Sequence, residues 1–456
     1  MISPLVPPAP RLPFEPYRIK MVEPIRLTTR DERSVALEEA RFNLFKVPSE
    51  LVTIDLLTDS GTAAMSDAQW SAMMRGDEAY AGSRSFKRFE RAVRDLTGFE
   101  HVMPTHQGRA AEHLLFGLLA GSGGAVPNNC HFDTTRANLE DLGLEAVDCV
   151  GECAYETDRP CPFKGNVDLE KFLRVLDRGS VPFGLVTVTN NTGGGQPVSL
   201  GNLRAVSKLL KSRGIPFFLD ACRFAENAWF IREREHPDRS IRDIVAEMFS
   251  LADGCTMSAK KDGLANIGGF FACNDAALAE RFRQRMVLTE GFPDYGGLAG
   301  RDLEAIAVGI HEAVEDSFLE HRIGQVRHLA GRLHERGIPI LRPAGGHAVY
   351  IDARRFLPRV PASEFPGQAL ACALYLEGGI RSCEIGSLML SRKGGAPRLE
   401  LVRLAIPSRV YTAAHLDFVA ECVSRVYDRR EELGGFRLTN DPPVLRHFTA
   451  ELACVR

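Results

Sequence analysis

Apolar residues recur along this chain with two periods, and the change between them marks its organisation. Between residues 66 and 121 the spacing is helical. Ser66 can cap a short helix that stops near Gly76, and Ser85 a second that sets Phe86, Phe89, Val93 and Leu96 on one face before Gly98. A third helix follows THQGR, with Ala110, Ala111, Leu114, Leu115 and Leu118 at helical spacing and Gly121 as its stop. Further on, continuous apolar runs alternate with helical ones: GLVTVT (184–189), an amphipathic helix over 203–213 stopped by Gly214, IPFFLD ending at Asp220, and GGFFAC (268–273). Strand, helix and strand with short links predict βαβ units and a parallel sheet with helices on both faces. Ligands of such sheets bind beyond the carboxyl ends of the strands, which directs attention to residues 190–196 and 220–223.

After about residue 300 the texture changes. A long helical pattern (303–333) leads into short strands, HAVYIDA and LELVRLA, and helices at about 364–377 and 413–432. The expected fold class is therefore α/β. Its large domain (56–310) carries a mostly parallel sheet, and a smaller α+β domain spans 311–456. Residues 1–55 form an N-terminal arm and part of the small domain. Six prolines in the first twenty residues make the start of that arm extended.

Composition narrows the function more by exclusion than by hint. Of 456 residues, 56 are Lys or Arg and 59 Asp or Glu, a net charge of −3 that carries no footprint for nucleic acid or an anionic membrane. No apolar run approaches the roughly 18 residues of a membrane span. The proline-studded N-terminus lacks the basic and apolar regions of a signal peptide. Eleven cysteines make neither a CxxC pair nor an even framework. A reduced, soluble, cytoplasmic protein is expected.

The candidate chemistry begins with two lysines in CTMSAKKDGLANIGG. A Lys-Lys pair is ordinarily a solvated face, yet these sit between apolar stretches, in a turn before GGFFAC. A lysine desolvated there has a lowered pKa and an amine free to form a Schiff base. Pyridoxal phosphate needs such a lysine, and an acid to keep its pyridine nitrogen protonated. Asp220, at a strand end, can be that acid. The phosphate needs amides at a helix start with a basic side chain, which Thr105-His106-Gln107-Gly108-Arg109 offers. Phe132 can stack on a flat heterocycle.

The strings LLTDSGT, MMRGDEAYAGS, PTHQGRAAE, GGQPVS, DACRFAENAWFI, TMSAKKD, YGGLAGRD, GGHAVYIDARRF and LRHFTA resemble the β-eliminating lyases over nearly the whole chain. The resemblance implies the fold type I architecture of pyridoxal-phosphate enzymes and a homotetramer, a dimer of dimers with shared active sites. It places the Schiff base on Lys261, with Lys260 beside it. Asp220 matches the partner of the pyridinium, and Arg223 and Asn191 the groups near the cofactor's phenolic oxygen. Gln107, Gly108, Arg109 and Ser258 match the phosphate cradle, and Phe132 the stacking ring. Arg403 matches the clamp on the substrate carboxylate, Asn191 lies at the same site, and Tyr80 matches a catalytic tyrosine. A monovalent cation such as potassium is implied on the Glu78 carboxylate and the carbonyls of Gly61 and Asn266.

Three positions separate the tryptophan-cleaving from the tyrosine-cleaving members. Ile385 stands where the latter carry an arginine for the phenol oxygen, and an aliphatic side chain packs against indole. Asp133 replaces a threonine and supplies an acceptor for the indole N–H. His447 stands where the latter tend to carry an aromatic. The expectation is a pyridoxal-phosphate-dependent carbon–carbon lyase that converts tryptophan to indole, pyruvate and ammonia. Cleavage of tyrosine or of another β-substituted amino acid is the alternative, favoured by the short stretch 117–130.

Overall fold

The computed structural model describes residues 14–121, 123–390 and 397–455. At its centre lies a five-stranded sheet in the spatial order His101–Thr105, Gly269–Cys273, Gly254–Ser258, Phe217–Asp220, Gly184–Thr187. The last three run parallel, whereas Gly269–Cys273 is antiparallel to both of its neighbours. The expected parallel sheet therefore carries one reversed strand, and connection length explains it. Only ten residues separate Ser258 from Gly269, and a parallel crossover takes roughly a dozen or more. The two lysines sit in that short reversal.

Every residue of the three parallel strands is buried, as their unbroken apolar runs foretell. Alternation along each strand divides the side chains between two cores. Phe217, Leu219 and Phe270 pack with Phe89, Val93, Ile244 and Ile306 on one face. Phe218 and Phe271 pack with Leu114, Leu115 and Phe282 on the other. The flanking helices mostly match their sequence signals. Ser66 caps Asp67–Met73 through a capping box with Gln69, and Gly98 ends Arg84–Thr97 in the left-handed conformation. The cap of that second helix is Ser83, not Ser85. Ser85 lies in the first turn, buried, its hydroxyl donating to Glu304 Oε1 at 2.9 Å.

The long pattern after residue 300 is two helices, Gly300–Glu312 and Asp316–Glu335. The first packs against Arg84–Thr97 and the second against Ala413–Asp428, so the break at residues 313–315 redirects the chain from one core to another. That further core surrounds an antiparallel sheet of Cys383–Ile385, Leu401–Ala405 and Ala348–Asp352. Residues near the N-terminus complete it. Ile54–Asp55 pairs in parallel with Ile380–Arg381, and Leu37, Leu44 and Leu56 pack with Leu370, Leu374 and Val402. The first thirteen residues of the expected arm lie outside the described residues, and 14–29 carry no helix or strand.

Candidate active site

A cavity of about 260 Å³ opens where the strands ending at Thr187, Asp220 and Ser258 release their chains. One wall is the lysine turn. Lys261 N–H donates to Ser258 O, and Leu264 closes back onto Lys261 O at 2.9 Å. Asp262 anchors the turn, its carboxylate accepting from the Ala225 amide at 2.7 Å in the first turn of Phe224–Arg234. Lys261 is thereby fixed beside Asp220, and both border the cavity. Lys260 Nζ donates to Gln107 Oε1 at 3.2 Å, and burial, together with the charges of Lys261 and Arg109, lowers its pKa.

The helix Gly108–Leu119 begins at the same place. Gln107 makes no side-chain cap, so the helix start remains available to an anion. Gly108 is required by proximity: a Cβ there would lie 2.8 Å from Ser258 Cβ. Arg109 adds a fixed positive charge to the cavity wall, and Phe132, at the start of Asp133–Asp141, adds an aromatic face.

Two further arginines, Arg223 and Arg403, border the cavity. Arg223 is buried and held by Asp59 in a two-point ion pair, Nε to Oδ2 at 2.9 Å and Nη2 to Oδ1 at 2.7 Å. Arg322 joins this cluster at 3.0 Å from Glu226. The Arg223 guanidinium keeps the Asp59 carboxyl well below the usual range despite its burial. Arg403 donates from Nη1 to Asn191 Oδ1 at 3.2 Å and from Nη2 to Leu57 O at 2.9 Å. Its Nε is buried without a partner, a donor ready for a carboxylate. Asn191 Oδ1 also accepts from the Tyr350 hydroxyl at 2.8 Å and lies 3.1 Å from His347 Nε2. Burial and the nearby arginines depress the His347 pKa strongly, so its ring stays neutral.

The far end of the cavity is aromatic and aliphatic: Phe45, Leu57, Cys383, Met389 and Phe448. Asp133 and His447 are its polar members. Asp133 Oδ1 accepts from the Thr134 amide at 2.7 Å, and Oδ2 lies 3.0 Å from His447 Nε2, near but not aligned for a hydrogen bond. Arg446 docks the His447 segment by donating to the carbonyls of Leu388 and Ser387 at 2.8 and 2.6 Å.

Sequence comparison places these residues in a family. The model of the β-eliminating lyase family matches residues 55–422. The tryptophanases of Hyphomonas neptunium and Salinibacter ruber are each 56% identical to this chain, over 96% of it and 98% and 95% of their own lengths. The chain belongs to the β-eliminating lyases. Tyrosine phenol-lyase of Symbiobacterium thermophilum is 52% identical over 96% of this lyase and 97% of its own length. Among solved structures, a chain of the SepCysS–SepCysE N-terminal domain complex shares the fold, with a TM-score of 0.54 at 15% identity. That match covers 84% of this lyase and 96% of the other chain. The α/β, fold type I expectation stands.

Of the residues named from sequence, Gln107, Gly108, Arg109, Phe132, Asp133, Asn191, Asp220, Arg223, Ser258, Lys261, Arg403 and His447 all border this same cavity of the lyase. Ile385 does not. It is buried with Leu341, Tyr350 and Leu401 on the same strand face as Cys383, two residues beyond it, and of the pair Cys383 borders the cavity. Tyr80 also lies elsewhere, 67% exposed and packed against Phe292 and Tyr295. The expected cation ligands are likewise divided within one chain. Gly61 O accepts from Asn266 Nδ2 at 3.0 Å, whereas Glu78 accepts from the Gly300 amide and lies 3.5 Å from Arg301. Among the described residues, no cluster of three His, Cys, Asp or Glu side chains could hold a metal ion.

Sequence reasoning assigned no role to Asp59, Glu112, Glu226, Asp262, Arg322 or His347. All but Arg322 fall inside strings already quoted for the resemblance, so the signal was present. Of the apolar wall, Leu57 and Phe448 also fall inside quoted strings, whereas Phe45 and Met389 come from distant segments without a motif.

Proposed function

We propose that this lyase is a pyridoxal-phosphate enzyme that cleaves tryptophan to indole, pyruvate and ammonia. The observation that carries the substrate is the pairing of Asp133 with His447 inside an apolar, aromatic-walled end of the cavity. A carboxylate there can accept from an indole N–H, and hydrocarbon walls suit the ring. The fit to the cofactor rests on a lysine amine, a buried acid, a stacking phenylalanine and an uncapped helix start with room only for glycine. Bound there, pyridoxal phosphate would supply an electron sink for the carbanion at the substrate's α-carbon.

The chain's own residues do the rest. Lys261 would hold the cofactor through its amine, and that amine would accept the α-proton. Asp220 would hold a proton on the pyridine nitrogen, and Gln107, Gly108, Arg109 and Ser258 would hold the phosphate. Arg403 clamps the substrate carboxylate with Asn191 beside it, as a forked guanidinium can. Asp133 stabilises positive charge at the indole nitrogen when the ring carbon is protonated, with His447 in the same proton network. The apolar walls exclude water from that step.

Tyr80 and Glu78 enter this reading through assembly. Both lie on a shallow surface cleft away from the cavity, and we assign them to the site of a second copy in a homotetramer. Glu78 would there complete a potassium site with the carbonyls of Gly61 and Asn266. Ile385 flanks Cys383 on the same face of their strand and acts on specificity through it. Among the described residues no helix is long and apolar enough to cross a membrane, and a cytoplasmic enzyme without nucleic-acid partners is proposed. The test is product analysis with pyridoxal phosphate, potassium and tryptophan or tyrosine in competition. Indole must exceed phenol; phenol as the main product sinks the tryptophan assignment.

A further inference from the structure

One buried acid on the cavity wall has no role in the reaction described so far. Glu112 lies one turn into Gly108–Leu119, the helix whose start forms the anion site, and it is only 7% exposed. It borders the cavity together with Asp220. Its Oε1 accepts from Thr135 Oγ1 at 2.7 Å, and Thr135 belongs to the first turn of Asp133–Asp141, just after Phe132 and Asp133. Glu112 thus joins the helix of the phosphate cradle to the helix that carries the stacking ring and the indole acceptor.

We propose that Glu112 is a positioning residue for Asp220: the two acids hold one negative charge between them, that charge rests on Asp220, and Glu112 keeps the proton. The inference rests on the cofactor reading above. Two carboxylates on the wall of a poorly hydrated cavity cannot both ionise cheaply. Burial, and next the charge of Asp220, push the Glu112 carboxyl up to about 8. The groups opposing this are Thr135 through its hydrogen bond, and Lys261 and Arg109 through their charges. A phosphate seated on Arg109 would weaken the last of these. A neutral Glu112 accepts from Thr135 without competing for the proton that Asp220 must keep on the pyridine nitrogen. Above its pKa a second negative charge appears beside the ring and changes its electronics.

The experiment uses the holoenzyme loaded with pyridoxal phosphate, in wild type, Glu112→Gln and Glu112→Ala. Infrared difference spectra at neutral pH should show a protonated-carboxyl band that Glu112→Gln removes. The visible absorbance of the wild type should titrate with a step near pH 8, and Glu112→Gln should lose that step while retaining the cofactor. Glu112→Ala, which strands the Thr135 hydroxyl, should loosen the cofactor by about tenfold, and Gln should restore it. A band or a titration unchanged in Glu112→Gln overturns the assignment, as does loss of cofactor in that isosteric variant. A wild type that takes up no pyridoxal phosphate overturns the cofactor reading and this inference together. Failure on tryptophan with the band and step intact falls on the substrate reading alone and upholds Glu112.

Discussion

Asp133→Asn separates the two halves of the proposed reaction. The substitution keeps an acceptor oxygen, so the 2.7 Å bond to the Thr134 amide survives. The loss of an acidic side chain from the first turn of Asp133–Asp141 costs about 0.3–1 kcal/mol, too little to unfold the chain. The negative charge at Oδ2, buried among Phe45, Met389 and Phe448, is what disappears. A preorganised charge of this kind, in a site that excludes water, is worth on the order of 2–4 kcal/mol at the transition state, about 10²–10³ in rate. That loss should fall on indole release alone, because the charge it opposes arises only when the ring carbon is protonated. Exchange of the α-proton with solvent deuterium, and elimination from S-alkylcysteine, need no such protonation. All three rates are measured on one preparation, with the cofactor spectrum as a control for binding. An equal fall in the three rates would mean that Asp133 supports the fold or the cofactor, and the tryptophan argument would collapse.

Lys261→Ala should abolish turnover and the visible absorbance of bound pyridoxal phosphate, whereas Lys260→Ala should keep the absorbance; the reverse result shows the pair was assigned in the wrong order. Arg403→Lys should lower kcat/KM by about 10- to 100-fold, mostly through KM, since a charged contact of about 1.5–3 kcal/mol is lost; steady-state kinetics with an unchanged KM would refute the clamp. For Asp59, whose folded pKa is depressed, the sign is fixed. Its stabilisation is present above the unfolded carboxyl value of about 3.9 and fades as pH falls below it. Asp59→Asn should therefore flatten the acid limb of a urea-stability profile, and should cost about 3–5 kcal/mol at neutral pH by leaving Arg223 unpaired; an unaltered acid limb would contradict the pairing.

Chemistry that depends on contiguous residues was legible before the fold was seen. The strand-end Asp220, the helix start at Gln107-Gly108-Arg109 and the lysine turn are each local, because backbone geometry alone sets where an amide or side chain emerges from a turn. The resemblance extended this to Arg403 and His447. Periodicity found most elements and failed where tertiary packing decides. It could not show that Gly269–Cys273 runs backwards, since a ten-residue link reads the same until the turn is built. Nor could it break the 303–333 helix, whose halves serve different cores. Ile385 shows the same limit at the site. It shares one face of its strand with Cys383, but which of the two reaches the cavity is set by where neighbouring segments end. The buried charges are the clearest case. Asp59, Arg223, Arg322 and Glu226 are scattered from residue 59 to 322 and become one network only when burial brings them within 3.5 Å of one another. Desolvation then decides which keeps its charge, and no order of residues along a chain expresses it.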